Sequence, residues 1–108
     1  NQPHMGEKTN MDKMLSAIME YDIPELKKMR QRNDSMLAAN PVLYVEQAGL
    51  SYYLGEYVEA YRYLQRGTNI FYQQRKYVWY FISLLNRKYL ARIISSKIIF
   101  TVFKRRAE

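Results

Sequence analysis

Apolar side chains return every three or four positions along most of this chain, the spacing that gathers them on one stripe of a helix. Met11, Met14, Leu15, Ile18 and Met19 make the first stripe, behind a cap at Asn10 or Asp12. Tyr21-Asp22 breaks it. Pro24 then opens a second helix, which runs through Leu26 and Met29 and fades across Gln31-Arg32-Asn33-Asp34. Asn40-Pro41 predicts the cap and first position of a third helix carrying Val42, Val45, Ala48, Tyr52 and Leu54. After the short turn Gly55-Glu56-Tyr57, a fourth helix carries Ala60, Tyr61, Leu64, Gly67, Phe71 and Tyr72. The chain turns again near Gln74-Arg75, and a fifth helix starts around Lys76 and reaches at least Leu90. On a wheel turning about 100° per residue, Tyr77, Val78, Phe81, Leu84, Leu85 and Tyr89 share one face. That face is the predicted core side of the helix, with Lys76, Ser83 and Arg87 opposite. Arg92 falls in the middle of the apolar face, so the clean stripe stops near Leu90 or that end overhangs its neighbours.

Ile98 to Phe103 is rich in β-branched and aromatic residues, and helix is the expectation because a lone strand would have no partner. Its apolar side chains either fold back on the core or stay uncovered. In the second case Ile98, Ile99, Phe100 and Phe103 become contact residues for a partner or a second copy. The predicted fold is therefore all-α, about five helices in stacked hairpins. Residues 10–94 form a single helical domain and residues 95–108 a basic, apolar C-terminal extension. Residues 1–9 read as a tag-like or disordered leader, with His4-Met5 resembling a cloning remnant.

The central hairpin is the most patterned part. Residues 41–74 span thirty-four positions, the length of a tetratricopeptide-type repeat. Tyr44 stands at the large position of its first helix, Ala48 at the small position where the two helices cross. Ala60 and Gly67 are the small positions of the second helix, with Leu64 the large one between them. Small residues at a crossing let the backbones approach while large ones interlock around them. Ser51 departs from the pattern, where a tyrosine is usual, and so does Tyr72, where the closing proline is absent. One hairpin cannot bury its face alone, so flanking helices are expected to stack on both sides.

Composition narrows the chemistry. A chain of 108 residues supports one small core. With no cysteine there is no disulfide framework, iron–sulfur cluster or zinc ribbon, and with His4 as the sole histidine there is no obvious catalytic triad. The four glycines form neither a dinucleotide fingerprint nor a P-loop. The acids are scattered and read as caps and solvated faces, so neither an enzyme, a metal site nor a cofactor is expected. No apolar run is long enough to span a bilayer, and with no export signal a cytoplasmic setting is the default.

Charge and aromatic content add two surfaces. Residues 1–74 hold eight Lys/Arg and nine Asp/Glu, whereas residues 75–108 hold nine Lys/Arg and Glu108 alone. That basic third suits an anionic partner. For nucleic acid, Arg75, Lys76, Arg87, Lys88, Arg92, Lys97 and Lys104 to Arg106 would meet phosphates and Trp79 or Tyr80 would stack on bases. Nine of the eleven tyrosines fall between Tyr44 and Tyr80. Tyr53, Tyr57, Tyr61 and Tyr63 cannot all point inward from one hairpin, and Tyr53, Tyr57 and Tyr61 are the candidate contacts with a protein partner. Attachment to a membrane surface through Ile98–Phe103 and Lys104-Arg105-Arg106 is the weakest of the three readings.

Two stretches carry a family resemblance: Tyr52-Tyr53-Leu54-Gly55-Glu56-Tyr57-Val58-Glu59-Ala60-Tyr61, and Tyr80-Phe81-Ile82-Ser83-Leu84-Leu85-Asn86-Arg87-Lys88-Tyr89-Leu90. Over about residues 15–94 the chain resembles the helical region behind the catalytic domain in bacterial sirtuin-like anti-phage defence proteins. In that pattern a hairpin with a Gly-aromatic turn leads into an aromatic helix carrying asparagine and then basic residues. The resemblance implies a sensor, scaffold or assembly region of a parent that hydrolyses NAD. The catalytic histidine and asparagine would lie in another domain, and no residue here matches them.

Overall fold

The computed structural model describes residues 10–20 and 22–107, with the side chains of residues 13, 14, 16–20 and 22–97. The tag-like leader and Tyr21 lie outside the described residues. Five helices follow one another: α1 (Asn10–Met19), α2 (Ile23–Asp34), α3 (Leu43–Tyr53), α4 (Tyr57–Gln73) and α5 (Tyr77–Ala107). The fold is all-α, with no strand among the described residues. Each helix packs chiefly on the next, from α1 against α2 through to α4 against α5.

Local chemistry sets most boundaries. The Asp22 carboxylate accepts the Glu25 amide at 3.2 Å and Pro24 occupies the first turn of α2, so the predicted start of that helix stands. The start of α3 does not. Asn40 and Pro41 lie in a preceding turn, their carbonyls accepting the Leu43 and Tyr44 amides at 3.0 Å. Val42 precedes α3 with no side-chain cap. The bonds to the Asn40 and Pro41 carbonyls span three residues and not four, so a tight turn precedes the helix and its start moves two residues on from Pro41.

The two turns flanking α4 are built alike. The Glu56 amide reaches back to the Ser51 carbonyl at 2.8 Å, and the Lys76 amide to the Phe71 carbonyl at 2.8 Å. Both are six-to-one closures that put one residue in the left-handed region, Gly55 at φ 80° and Arg75 at φ 58°. Glycine adopts this conformation freely, whereas for arginine it costs on the order of 1 kcal/mol.

Two apolar clusters hold the stack. Met14 and Ala17 of α1 meet Leu26, Met29 and Leu50 in the first, while Met19, expected on that stripe, is exposed at the end of α1. Ala48, Ala60, Leu64 and Leu90 form the second, with Tyr52, Tyr57, Tyr61 and Tyr63 around it. The small residues of the central hairpin are buried as predicted. A β-carbon on Gly67 would lie 2.9 Å from the Tyr44 β-carbon, so α3 and α4 approach each other there as closely as a glycine allows.

The predicted orientation of α5 is reversed. Ser83 is fully buried and Leu90 nearly so, while Phe81, Leu85 and Tyr89 are 59%, 70% and 57% exposed. Tyr77 and Val78 are also open, Leu84 is half-buried, and Arg87 lies half-buried on the packed side. The physical reason is that α5 carries apolar residues on more than one side while α4 is its main neighbour. Small Ser83 permits the close approach, which leaves the richer apolar face uncovered. The helix continues unbroken across the expected boundary at residue 94, and the molecule measures 61 × 35 × 24 Å.

Candidate interaction surface

The outer face of α5 grows from the α4–α5 turn. Tyr72 lies 5.3 Å from Tyr80 and 6.4 Å from Tyr77, ring centre to ring centre, and Tyr80 is 5.3 Å from Phe81. This aromatic group leads into Leu85 and Tyr89 one and two turns on. Tyr77, Phe81, Leu85 and Tyr89 recur every fourth residue, so they form one slanting ridge about 18 Å long at 1.5 Å rise per residue. Beneath the turn, Phe71 is fully buried with Trp79 packed 6.2 Å from it, which seats the start of α5.

At the far end of the ridge Leu85, Lys88, Tyr89 and Arg92 line a shallow hollow of about 220 Å³. Lys88 and Arg92 are one helical turn apart and both exposed. Beside them a larger groove of about 450 Å³ lies among α1, α3, α4 and α5, walled by Met14, Ala48, Tyr52, Leu64 and Asn86, with Tyr89 shared between the two. The Tyr89 hydroxyl, through its hydrogen bond with Tyr52 first, raises the Tyr52 phenol above the ordinary range.

The predicted contact tyrosines separate. Tyr53 is exposed on α3. Tyr57 and Tyr61 instead face α5, where the Lys97 ammonium sits 4.8 Å above the Tyr57 ring and the Arg87 guanidinium 5.5 Å above that of Tyr61. These cation–π contacts tie α4 to α5. Ile98, Ile99, Phe100 and Phe103 lie on the α5 backbone, but their side chains are outside the described residues. The predicted phosphate-binding set is divided as well. Arg87 is held on Tyr61 and Trp79 on Phe71, while Arg75, in the left-handed turn, and Lys76, Lys88 and Arg92 are exposed. The sequence pattern places these ridge residues in the core, and the structure exposes them. The one sign against that reading was Arg92 in the centre of their face.

Behind this surface a polar network, not foreseen from the sequence, locks α2, α3 and α4. Arg30 of α2 binds Glu56 with both terminal nitrogens, at 3.0 and 3.1 Å, and donates to Ser51 Oγ at 3.2 Å. Gln47 of α3, fully buried, donates to the Arg30 carbonyl and to Asp34 Oδ1, each at 2.8 Å. Tyr63 of α4 donates to the same Asp34 oxygen at 2.8 Å. Polar residues at crossing positions, Gln47 and Ser51, were the available signal. Burial, then the bond to the Asp34 carboxylate, pushes the Tyr63 phenol up to about 12.

A folded pKa above the unfolded value of about 10 stabilises the fold fully below pH 10, and that stabilisation is lost as pH rises through about 12. Ultraviolet titration, with helical circular dichroism followed in parallel, is expected to show a tyrosine ionising near pH 12. Tyr63→Phe removes this late phase and Asp34→Asn moves it towards the ordinary range. A late phase unchanged by Tyr63→Phe rules the assignment out.

Among the described residues no three His, Cys, Asp or Glu side chains gather as a metal site, and no helix is long and apolar enough to cross a membrane. No family model matches the chain, and neither a curated protein nor a solved structure matches it.

Proposed function

We propose that the chain is a helical protein-interaction module, built on a tetratricopeptide-like hairpin, with the outer face of α5 as its contact surface. The observation that carries this reading is the ridge Tyr77, Phe81, Leu85 and Tyr89, half or more exposed at every position. Contiguous apolar surface of this kind marks a place where another element docks. The resemblance to bacterial sirtuin-like defence proteins supports the same role. The module would then serve assembly or sensing in a larger parent whose catalysis lies elsewhere. Lys76, Lys88 and Arg92, all exposed in the basic C-terminal third, favour nucleic-acid binding as a second reading. Retention of a short oligonucleotide that falls steeply with salt would decide for it.

The double substitution Phe81→Ser, Leu85→Ser tests the first reading. Exposed positions change stability by about 0.5 kcal/mol or less each, so with two of them the thermal midpoint is expected to move by no more than about 8 °C. Binding of an environment-sensitive hydrophobic dye is expected to drop sharply. A collapse of the midpoint would place both residues in the core and end the reading.

A further inference from the structure

The ridge on α5 has a chemical polarity that selects its occupant. From Tyr77 through Ala107 the helix contains no aspartate or glutamate. Arg87 lies half-buried on the Tyr61 ring and Lys97, exposed further along α5, sits over the Tyr57 ring, which leaves Lys88 and Arg92 as the exposed cations beside the far end of the ridge. Two like charges spaced four apart on a helix are mildly destabilising, and no acid of this chain forms an ion pair with them among the described residues. The hollow they line is floored by Leu85 and Tyr89. A carboxylate entering it would be partly withdrawn from water and held by charge-assisted hydrogen bonds, two of them from the Arg92 fork.

We propose that the outer face of α5 binds an acidic amphipathic helix of another protein, apolar residues on the Tyr77–Tyr89 ridge and carboxylates on Lys88 and Arg92. The ridge suits a helix because its anchors recur at one-turn spacing. A second copy is the poorer occupant. A parallel two-fold contact of α5 with α5 would set Lys88 and Arg92 against their own kind, and an antiparallel one centred on the ridge would lay Lys88 near Val78; neither offers the cations an acid. This proposal rests on α5 being a docking face and adds the partner's chemistry.

The test uses the full chain and two fluorescent synthetic peptides of equal length and apolar spacing, one flanked by glutamates and one by lysines. Anisotropy is expected to show the glutamate peptide bound and the lysine peptide bound at least about tenfold more weakly. Lys88→Glu with Arg92→Glu is expected to invert that order, and Phe81→Ser with Leu85→Ser to abolish binding of both. Lys88 and Arg92 are exposed, so the charge variants keep the helical circular dichroism of the parent; Lys88→Ala with Arg92→Ala gives the milder loss. Equal binding of the two peptides overturns the acidic partner but keeps the docking face. So does a light-scattering dimer that Phe81→Ser with Leu85→Ser dissociates, which would put a second copy on the ridge. A monomer that binds neither peptide overturns both the partner and the docking face.

Discussion

Phe71→Ala is expected to lower the unfolding free energy by about 3–5 kcal/mol, the usual cost of emptying a fully buried phenylalanine site. Phe71 has no exposed surface, its ring packs against Trp79, and one ring carbon lies 3.4 Å from where a Gly67 β-carbon would be. It sits where α4 ends, and α4 is the main neighbour of α5. Removing the ring therefore takes away both core volume and the seat of the longest helix. Against a total of about 5–15 kcal/mol for a small domain, the loss leaves a marginal fold. Urea unfolding followed by the fluorescence of Trp79, the sole tryptophan, reads it directly. Phe81→Ala, the same change ten residues on at a largely exposed site, is expected to stay within about 0.5 kcal/mol. Comparable losses at the two positions would mean that the outer face of α5 is packed like its inner face, and would remove the basis of the proposed interaction surface.

That contrast also locates what the sequence could and could not reveal. The punctuation was legible because it depends on local backbone chemistry. Pro24 with Asp22, Gly55 in its left-handed turn, and the break at Gln74-Arg75 all act within a few residues of themselves. The small positions Ala48, Ala60 and Gly67 were legible too, since only a close helix crossing gives them a reason to line up. The facing of α5 was not. A wheel ranks the faces of a helix by apolarity, but burial depends on how many neighbours exist to cover them. Ser83 is buried and Leu85 is not because one neighbouring helix covers only one side of α5. The polar network escaped for the converse reason. Gln47 and Ser51 look like surface residues until α2 brings Arg30 and Asp34 over them from seventeen to twenty-one and thirteen positions away respectively. Such partners are set by the fold and not by spacing along the chain.

The candidate site inherits both lessons. Its hydrophobic part was visible as composition but misplaced into the core, and its cationic part was visible as charge but overcounted. Arg87 lies half-buried on the Tyr61 ring and Lys97, still exposed, sits over the Tyr57 ring, so beside the ridge the basic face suggested by the sequence contracts to Lys88 and Arg92. This contraction favours recognition of a few placed carboxylates over a long phosphate backbone, whose affinity grows with the number of charges neutralised.

The closest helix crossing supplies the second large effect, and its sign can be set against a built-in control. Replacing a mid-helix glycine by alanine ordinarily gains about 1 kcal/mol of helix propensity. At Gly49 of α3 the new β-carbon would meet only the Met14 terminal methyl, at 3.9 Å, an ordinary contact. Gly49→Ala is therefore expected to stabilise the protein by up to about 1 kcal/mol. At Gly67 of α4 the new carbon would meet the Tyr44 β-carbon at 2.9 Å. That atom is fixed to the α3 backbone and cannot swing aside, so α3 and α4 must separate along the hairpin. Overpacking of this kind costs about 1–3 kcal/mol and sometimes more. The cost outweighs the propensity gain, so Gly67→Ala is expected to lose up to about 2 kcal/mol. Gly67→Val, with two further carbons at the same crossing, is expected to lose about 3 kcal/mol or more. Chemical denaturation of the three variants beside the parent measures the opposite signs in one experiment. If Gly67→Ala gains stability as Gly49→Ala does, the two helices are not locked at Tyr44, and the hairpin that positions α5 is looser than its geometry requires.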